Sequence, residues 1–292
     1  MIQITSLTKT YPGDVQALRG LDLAIGSGMF GLVGPNGAGK TSLMRIIAGL
    51  IEPSGGSVSV FGHDLASPAG KLAAKALLGY LPQELGLYPN LTAWEFLDYV
   101  ARLKGLTDPV DRRTQIGTIL DQVRLTEVAN RRLKTYSGGM KRRVGIAQAL
   151  LGPPRLLIVD EPTVGLDPEE RVRLRNLLSE LANRCTVILS THIIEDIGQS
   201  CRNLAAISRG RVRFQGSPQA LIAQARGQVW TVTTTGQPPE GEVTVVSSIH
   251  LETGTQYRLV GQPASDLGAT PVEPALEDGY IWLMRSSGGV GE

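Results

Sequence analysis

Short β-rich runs open the chain: "IQITSL", "LDLAI" and "MFGLVG", each bounded by Gly or Pro, with "GSVSVFG" as a later strand. Before that later strand the spacing turns helical, with Leu43, Ile46, Ile47 and Leu50 at i, i+3, i+4 and i+7 after Gly39. Thr92 is placed to cap a helix whose Ala93, Phe96, Leu97 and Val100 share one face, and Glu95 follows three residues later as in a capping box. A polar, Arg-rich helical section is predicted from about Asp108 to Arg132. After "YSGG" a further helix sets Met140, Val144, Ala147 and Leu151 on one stripe. "PRLLIVDEP" is a continuous apolar run of the kind buried on both faces. A helix after Pro168 then turns Leu174, Leu177, Leu178 and Leu181 inward, and "TVILSTH" is a second buried strand. This alternation predicts an α/β domain with a largely parallel sheet. From Gln228 the texture changes to three β-runs, "VWTVTTT", "EVTVVSS" and "QYRLVG", and a helix near Ala275 to Arg285, a small α+β appendage.

Charge sharpens that division. The 292 residues carry a net +2, but the stretch from Val229 onward holds eight acidic and two basic residues, which leaves the first 228 at +8. The basic part is therefore the expected binder of an anion. Cys185 and Cys201 have no CxxC spacing and fit small side chains in a reduced compartment, not a disulfide framework or a zinc site. With no apolar run of about 18 residues and no cationic-then-apolar leader in "MIQITSLTKTY", a soluble chain on the cytoplasmic side is expected.

Candidate chemistry centres on "GPNGAGKT", which fits G-x-x-x-x-G-K-[ST] between a strand and a helix. Glycines let successive N–H groups converge into an anion nest at the positive end of a helix. The phosphate-binding set is Gly34, Pro35, Asn36, Gly37, Ala38, Gly39, Lys40, Thr41 and Ser42, with Lys40 for the β- and γ-phosphates and the Thr41 hydroxyl for Mg²⁺. A phosphate loop needs a second metal carboxylate, and Asp160 ends the apolar strand "LLIVD" where a buried aspartate is costly unless it faces a ligand crevice. Strand alternation predicts that Glu161 points to the other side, free to act as general base on a water.

"YSGGM", about twenty residues before "VDEP", resembles the signature of ABC-type ATPases, usually LSGGQ. "GLDP", "STH" and "LPQ" complete that family's landmarks over residues 1 to about 225. The resemblance implies a P-loop NTPase of ABC type with a mixed sheet core, a helical subdomain at about residues 85–152 and an accessory α+β domain over residues 226–292. It implies ATP and Mg²⁺ as ligands, with Tyr11 stacking on adenine and Gln83 reaching the metal and the attacking water. His192 then contacts the γ-phosphate, and Asp167 lies on the loop that crosses between subunits. It also implies that Ser137, Gly138 and Gly139 close over a partner's nucleotide, so the chain pairs with a copy of itself or a similar chain. Met140 and Tyr136 depart from the commonest residues of the signature, and the tyrosine hydroxyl has no evident use in the sequence. Lys141, Arg142 and Arg143 read as a solvated helix face, with help to nearby phosphates as the alternative.

"PALEDGYIWLM" resembles the segment ending many subunits that drive export through separate permeases, and it also reads as a packing helix with Leu276, Tyr280 and Leu283 inward. The expected function is an ATP-hydrolysing subunit that drives export of an unidentified substrate through an integral membrane permease, peripheral on the cytoplasmic face of the membrane. The alternative is a soluble ABC ATPase acting on ribosomes or nucleic acid, against which the acidic tail argues. His63 and His250 have no context that assigns them a role.

Overall fold

Residues 1–235 and 237–288 are described by the computed structural model. The first part runs β1 (Ile2–Tyr11), β2 (Val15–Ile25), β3 (Met29–Val33), α1 (Lys40–Ile47), β4 (Gly55–Val60), β5 (His63–Asp64), α2 (Pro68–Ala76) and β6 (Leu78–Leu81). Three helices follow, α3 (Ala93–Leu103), α4 (Pro109–Gln122) and α5 (Gly138–Leu150). Then come β7 (Leu156–Asp160), α6 (Pro168–Leu181), β8 (Thr186–Thr191), α7 (Ile194–Ser200), β9 (Asn203–Ser208), β10 (Arg211–Gly216) and α8 (Pro218–Gln224). The last stretch holds β11 (Val229–Thr234), β12 (Gly241–Leu251), β13 (Gly254–Pro263), β14 (Thr270–Pro271) and α9 (Leu276–Gly288).

A six-stranded sheet, ordered β10-β9-β3-β8-β7-β6, is parallel except for β10. An antiparallel sheet, β2-β1-β4-β5, stands beside it. Two cores explain the unbroken apolar runs. Leu157 and Val159 of β7 pack with the helices, while Leu156 and Ile158 pack with α1 and the antiparallel sheet. A strand buried on both faces has no place for alternation.

Local signals account for the helix ends. Thr92 Oγ1 accepts from Glu95 N at 3.1 Å and Glu95 Oε2 accepts from Thr92 N at 2.8 Å, a complete capping box. Two expectations are corrected. The helix after Gly39 ends at Ile47, so Leu50 is 55% exposed and off the apolar stripe; Gly49, at φ 65°, stops it. The helical section from Asp108 ends at Gln122, and only short 3₁₀ turns at Thr126–Val128 and Leu133–Thr135 lie between it and α5.

The third sheet, β12-β13-β11-β14, is antiparallel and is closed by α9. Asp278 is fully buried and bonds Arg258 through Nε at 3.0 Å and Nη2 at 2.6 Å, and it also accepts from Ala275 N at 2.6 Å. α9 lies against α8 and α7 as well: a Cβ on Gly279 would stand 2.5 Å from the Leu221 carbonyl oxygen. Leu283 is buried, with Leu276 and Tyr280 packed on the same core. Among the described residues no helix is long and apolar enough to cross a membrane.

Candidate active site

Parallel register assembles the site. Val33 pairs with Thr191, and Asp160 with Ser190, so the carboxyl ends of β3, β7 and β8 finish side by side. In open α/β sheets this is the edge where ligands bind. The loop leaving β3 must be glycine at two points. A Cβ on Gly34 would stand 2.2 Å from the Ile207 carbonyl oxygen, and Gly39, at φ 106°, would meet the Ala17 carbonyl at 2.6 Å. α1 begins immediately after it, with its first N–H groups turned to the loop.

Lys40 is buried and curls back over the loop, with Nζ donating to Gly34 O at 2.6 Å and Pro35 O at 3.2 Å. It lies 3.9 Å from Glu161 Oε1. Burial pushes its pKa down, and the charges of Glu161 and Asp160 oppose that shift. Asp160 is buried too, and burial raises its pKa; the Thr41 and Ser190 hydroxyls and Lys40 partly offset this, and Glu161 adds to it. Among the described residues, neither Asp160 oxygen, nor Ser190 Oγ, has a partner in hydrogen-bond geometry. A buried carboxylate with unmatched oxygens beside a threonine hydroxyl fits a hard divalent cation.

Glu161 corrects the expectation from strand alternation. β7 stops at Asp160, and Glu161 takes a left-handed φ of 48°, uncommon for a residue with a Cβ. Its N–H bonds Ser190 O at 3.0 Å. The turn leaves its carboxylate beside Lys40, on whose charge both Glu161 and Asp160 act. Glu161 Oε2 lies 2.8 Å from Nδ1 of His192, a side chain still 49% exposed.

Lys40, Glu161 and His192 share a cleft of about 610 Å³ whose walls include Tyr11, Asn36 to Ser42 and Gln83, whereas Gly34, Pro35 and Asp160 are not among its walls. The Tyr11 hydroxyl is 3.0 Å from Ser42 Oγ, and the Lys9 ammonium is 5.2 Å from its ring centroid. Gln83 is exposed at the rim. A second cavity of about 290 Å³, bordered by Ile119, Leu150, Leu181 and Cys185, has neither a glycine loop nor a carboxylate.

Ser137, Gly138, Gly139 and Asp167 are not among the cleft's walls. Ser137 caps α5, its Oγ accepting from Met140 N at 3.2 Å, and it stays exposed with Gly138. Gly139 is buried against the Glu170 side chain. Asp167 caps α6 through Glu170 N at 2.8 Å. The Tyr136 hydroxyl has a use after all: the side chain is buried and donates to Val128 O at 2.6 Å.

The basic cluster is not a solvated face. Arg142 is only 9% exposed and donates to the carbonyls of Pro82, Gln83 and Glu161. Arg143 is half-buried, bonding Arg124 O at 3.1 Å and lying 3.8 Å from Glu170. Sequence reasoning also passed over Asp196, buried on α7, which accepts from Thr163 Oγ1 at 3.0 Å. An acid in the buried stripe of a short helix was the available signal.

The family model described as "ABC transporter" matches residues 18–164. The chain is 34% identical to the probable multidrug ABC transporter ATP-binding protein YbhF of Escherichia coli (strain K12), over 99% of this chain and 53% of that protein, so it spans about half of that relative. It is 34% identical to the linearmycin resistance ATP-binding protein LnrL of Bacillus subtilis (strain 168), over 89% of this chain and 83% of LnrL. Among solved structures it is similar to a dimeric post-hydrolysis state of the ATP-binding cassette MJ0796 bound to ADP and Pi. That match has a TM-score of 0.67 and 27% identity, over 74% of this chain and 98% of that one.

Proposed function

Because the chain belongs to the ABC transporter family, we propose that it is the ATP-binding and ATP-hydrolysing subunit of a transporter, dimerising around two ATP molecules. The observation that carries this reading is the contact between His192 and Glu161 at 2.8 Å, set opposite the Lys40 loop at the end of three parallel strands.

On binding ATP, Lys40 exchanges its bonds to the Gly34 and Pro35 carbonyls for bonds to phosphate oxygens, while the first N–H groups of α1 receive the same anion. The Tyr11 ring faces the base, a contact with little base selectivity. Glu161 takes a proton from the water that attacks the γ-phosphorus, the bond to the β,γ-bridging oxygen breaks, and ADP and phosphate result. With Nδ1 of His192 held by Glu161, Nε2 is left to face the γ-phosphate. A Mg²⁺ held by Thr41, Asp160 and Gln83 supplies charge neutralisation at the phosphates when bound.

Ser137, Gly138 and Gly139 start a helix away from their own cleft, which supports their acting on a partner's nucleotide. Asp167 lies on the loop we assign to the same interface. We assign residues 1–225 to the cassette, with its helical subdomain near residues 85–152, and residues 226–292 to an accessory domain, of which 236 and 289–292 lie outside the described residues. Coupling to a separate integral membrane permease at the cytoplasmic face, in the direction of export, is supported by the multidrug and resistance descriptions of the relatives.

Two measurements test this. Hydrolysis per molecule should rise with protein concentration toward a plateau; a rate that stays flat under dilution refutes the shared site. Tagged chain drawn from membranes should bring a polytopic permease with it, and recovery with ribosomes or nucleic acid instead refutes the transport assignment.

A further inference from the structure

Arg142 sits one turn into α5, the helix that begins at Gly138. Three basic residues in a row would ordinarily all reach solvent, because burying a guanidinium is costly without compensation. This one is buried, and its compensation comes mainly from backbone. Nη1 donates to Gln83 O at 2.7 Å and Pro82 O at 3.2 Å, and Nη2 to Glu161 O at 3.4 Å. Its charge is further balanced by the nearby Asp160.

We propose that Arg142 is a positioning residue for hydrolysis: its rigid fork ties the backbones of Gln83 and Glu161 to each other and to the helix bearing Ser137 and Gly138. This rests on the ATPase reading above. The fork matters because a guanidinium offers several donors in fixed directions, whereas an ammonium is a single point of attachment. Residues 82–87 form neither helix nor strand, so the path that carries Gln83 depends on bonds from outside the segment. Glu161, in its left-handed conformation, is held on one side by Ser190 O through its N–H and on the other by Arg142 through its carbonyl. The exposed start of α5 and the catalytic backbone of the same chain thus move as one piece. Arg142 makes no bond to the 34–42 loop or to Tyr11, the groups assigned to the phosphates and the base, so losing the guanidinium should lower turnover far more than binding.

The test uses the full chain with Arg142→Met and Arg142→Lys. Three measurements are made: steady-state hydrolysis, binding of a fluorescent ATP analogue, and hydrogen exchange without nucleotide. Loss of charge-assisted bonds predicts a kcat lower by at least about tenfold in Arg142→Met, with analogue affinity within about twofold of wild type. Exchange should quicken in the peptide over residues 82–88 while the peptide over residues 155–159 stays as in wild type. Arg142→Lys, which keeps the charge and loses the fork, should recover only part of kcat. Wild-type kcat in Arg142→Met, full recovery by lysine, or faster exchange throughout the cassette would each overturn the proposal. A wild-type chain that hydrolyses no ATP at any concentration overturns the ATPase reading instead, and the exchange comparison still decides whether Arg142 holds residues 82–88.

Discussion

Glu161→Gln isolates the chemistry of one atom. The substitution keeps the volume of a side chain that is almost wholly buried, and the amide still reaches Nδ1 of His192 at the 2.8 Å separation seen for the carboxylate. It removes a proton acceptor and a negative charge 3.9 Å from Lys40. General-base catalysis contributes roughly 10²–10⁴-fold, about 3–5 kcal/mol of barrier, so kcat should fall by at least about a hundredfold. Binding should move the other way. A carboxylate facing the γ-phosphate position repels it, and at about 4 Å that repulsion has an upper scale of about 4 kcal/mol before screening. ATP affinity should therefore hold or rise, and an ATP-dependent dimer should accumulate. Burial lowers the Lys40 pKa and Glu161 opposes that shift; without the carboxylate the pKa drops further. The variant should consequently lose ATP affinity at a lower alkaline pH than wild type. Phosphate release at saturating ATP, analogue titration across pH and light scattering with ATP read these three effects. Turnover within about threefold of wild type, or a turnover loss matched by lost binding, refutes the role given to Glu161.

Three further outcomes are expected. Tyr136→Phe strands the Val128 carbonyl that the hydroxyl now satisfies at 2.6 Å, costing about 1–3 kcal/mol in urea unfolding; unchanged stability would show that the bond contributes nothing. Gly279→Ala drives a Cβ to within 2.5 Å of the Leu221 carbonyl, which is backbone and cannot rotate aside. The melting temperature should drop and the tail should become protease-sensitive, at a cost of about 1–3 kcal/mol, whereas a wild-type melt would contradict the close contact. Burial pushes the Cys201 thiol up to about 12, so a disulfide reagent at pH 8 should label it far more slowly than a free thiol and react fully only after unfolding. Rapid native labelling at Cys201 would contradict its burial.

The strand–helix order and the phosphate loop were legible because both are local: periodicity, a glycine pattern and a capping box each fit within about ten residues. Thr92 and Glu95 announce their cap in four letters. Readings that needed distant neighbours fared differently. Arg142 looks solvated on its own helix, and only strand ends some twenty and sixty residues away in sequence show why it is buried. Asp278 looks like an ordinary helix-start acid until Arg258, twenty residues earlier, is brought against it across the sheet. Glu161 was read by a rule for strands at a point where the strand had ended. Leu50 continued an arithmetic stripe past the glycine that stops its helix.

The seam between α8 and α9 has a practical bearing on recombination among relatives. A chimera joined at residue 225 inherits α8 from one parent and the glycine that must slide past Leu221 from the other. Any mismatch there leaves a wedge where two backbones should touch. Moving the crossover upstream of Ser217 transfers both surfaces together, so tail swaps made that way keep this seam intact.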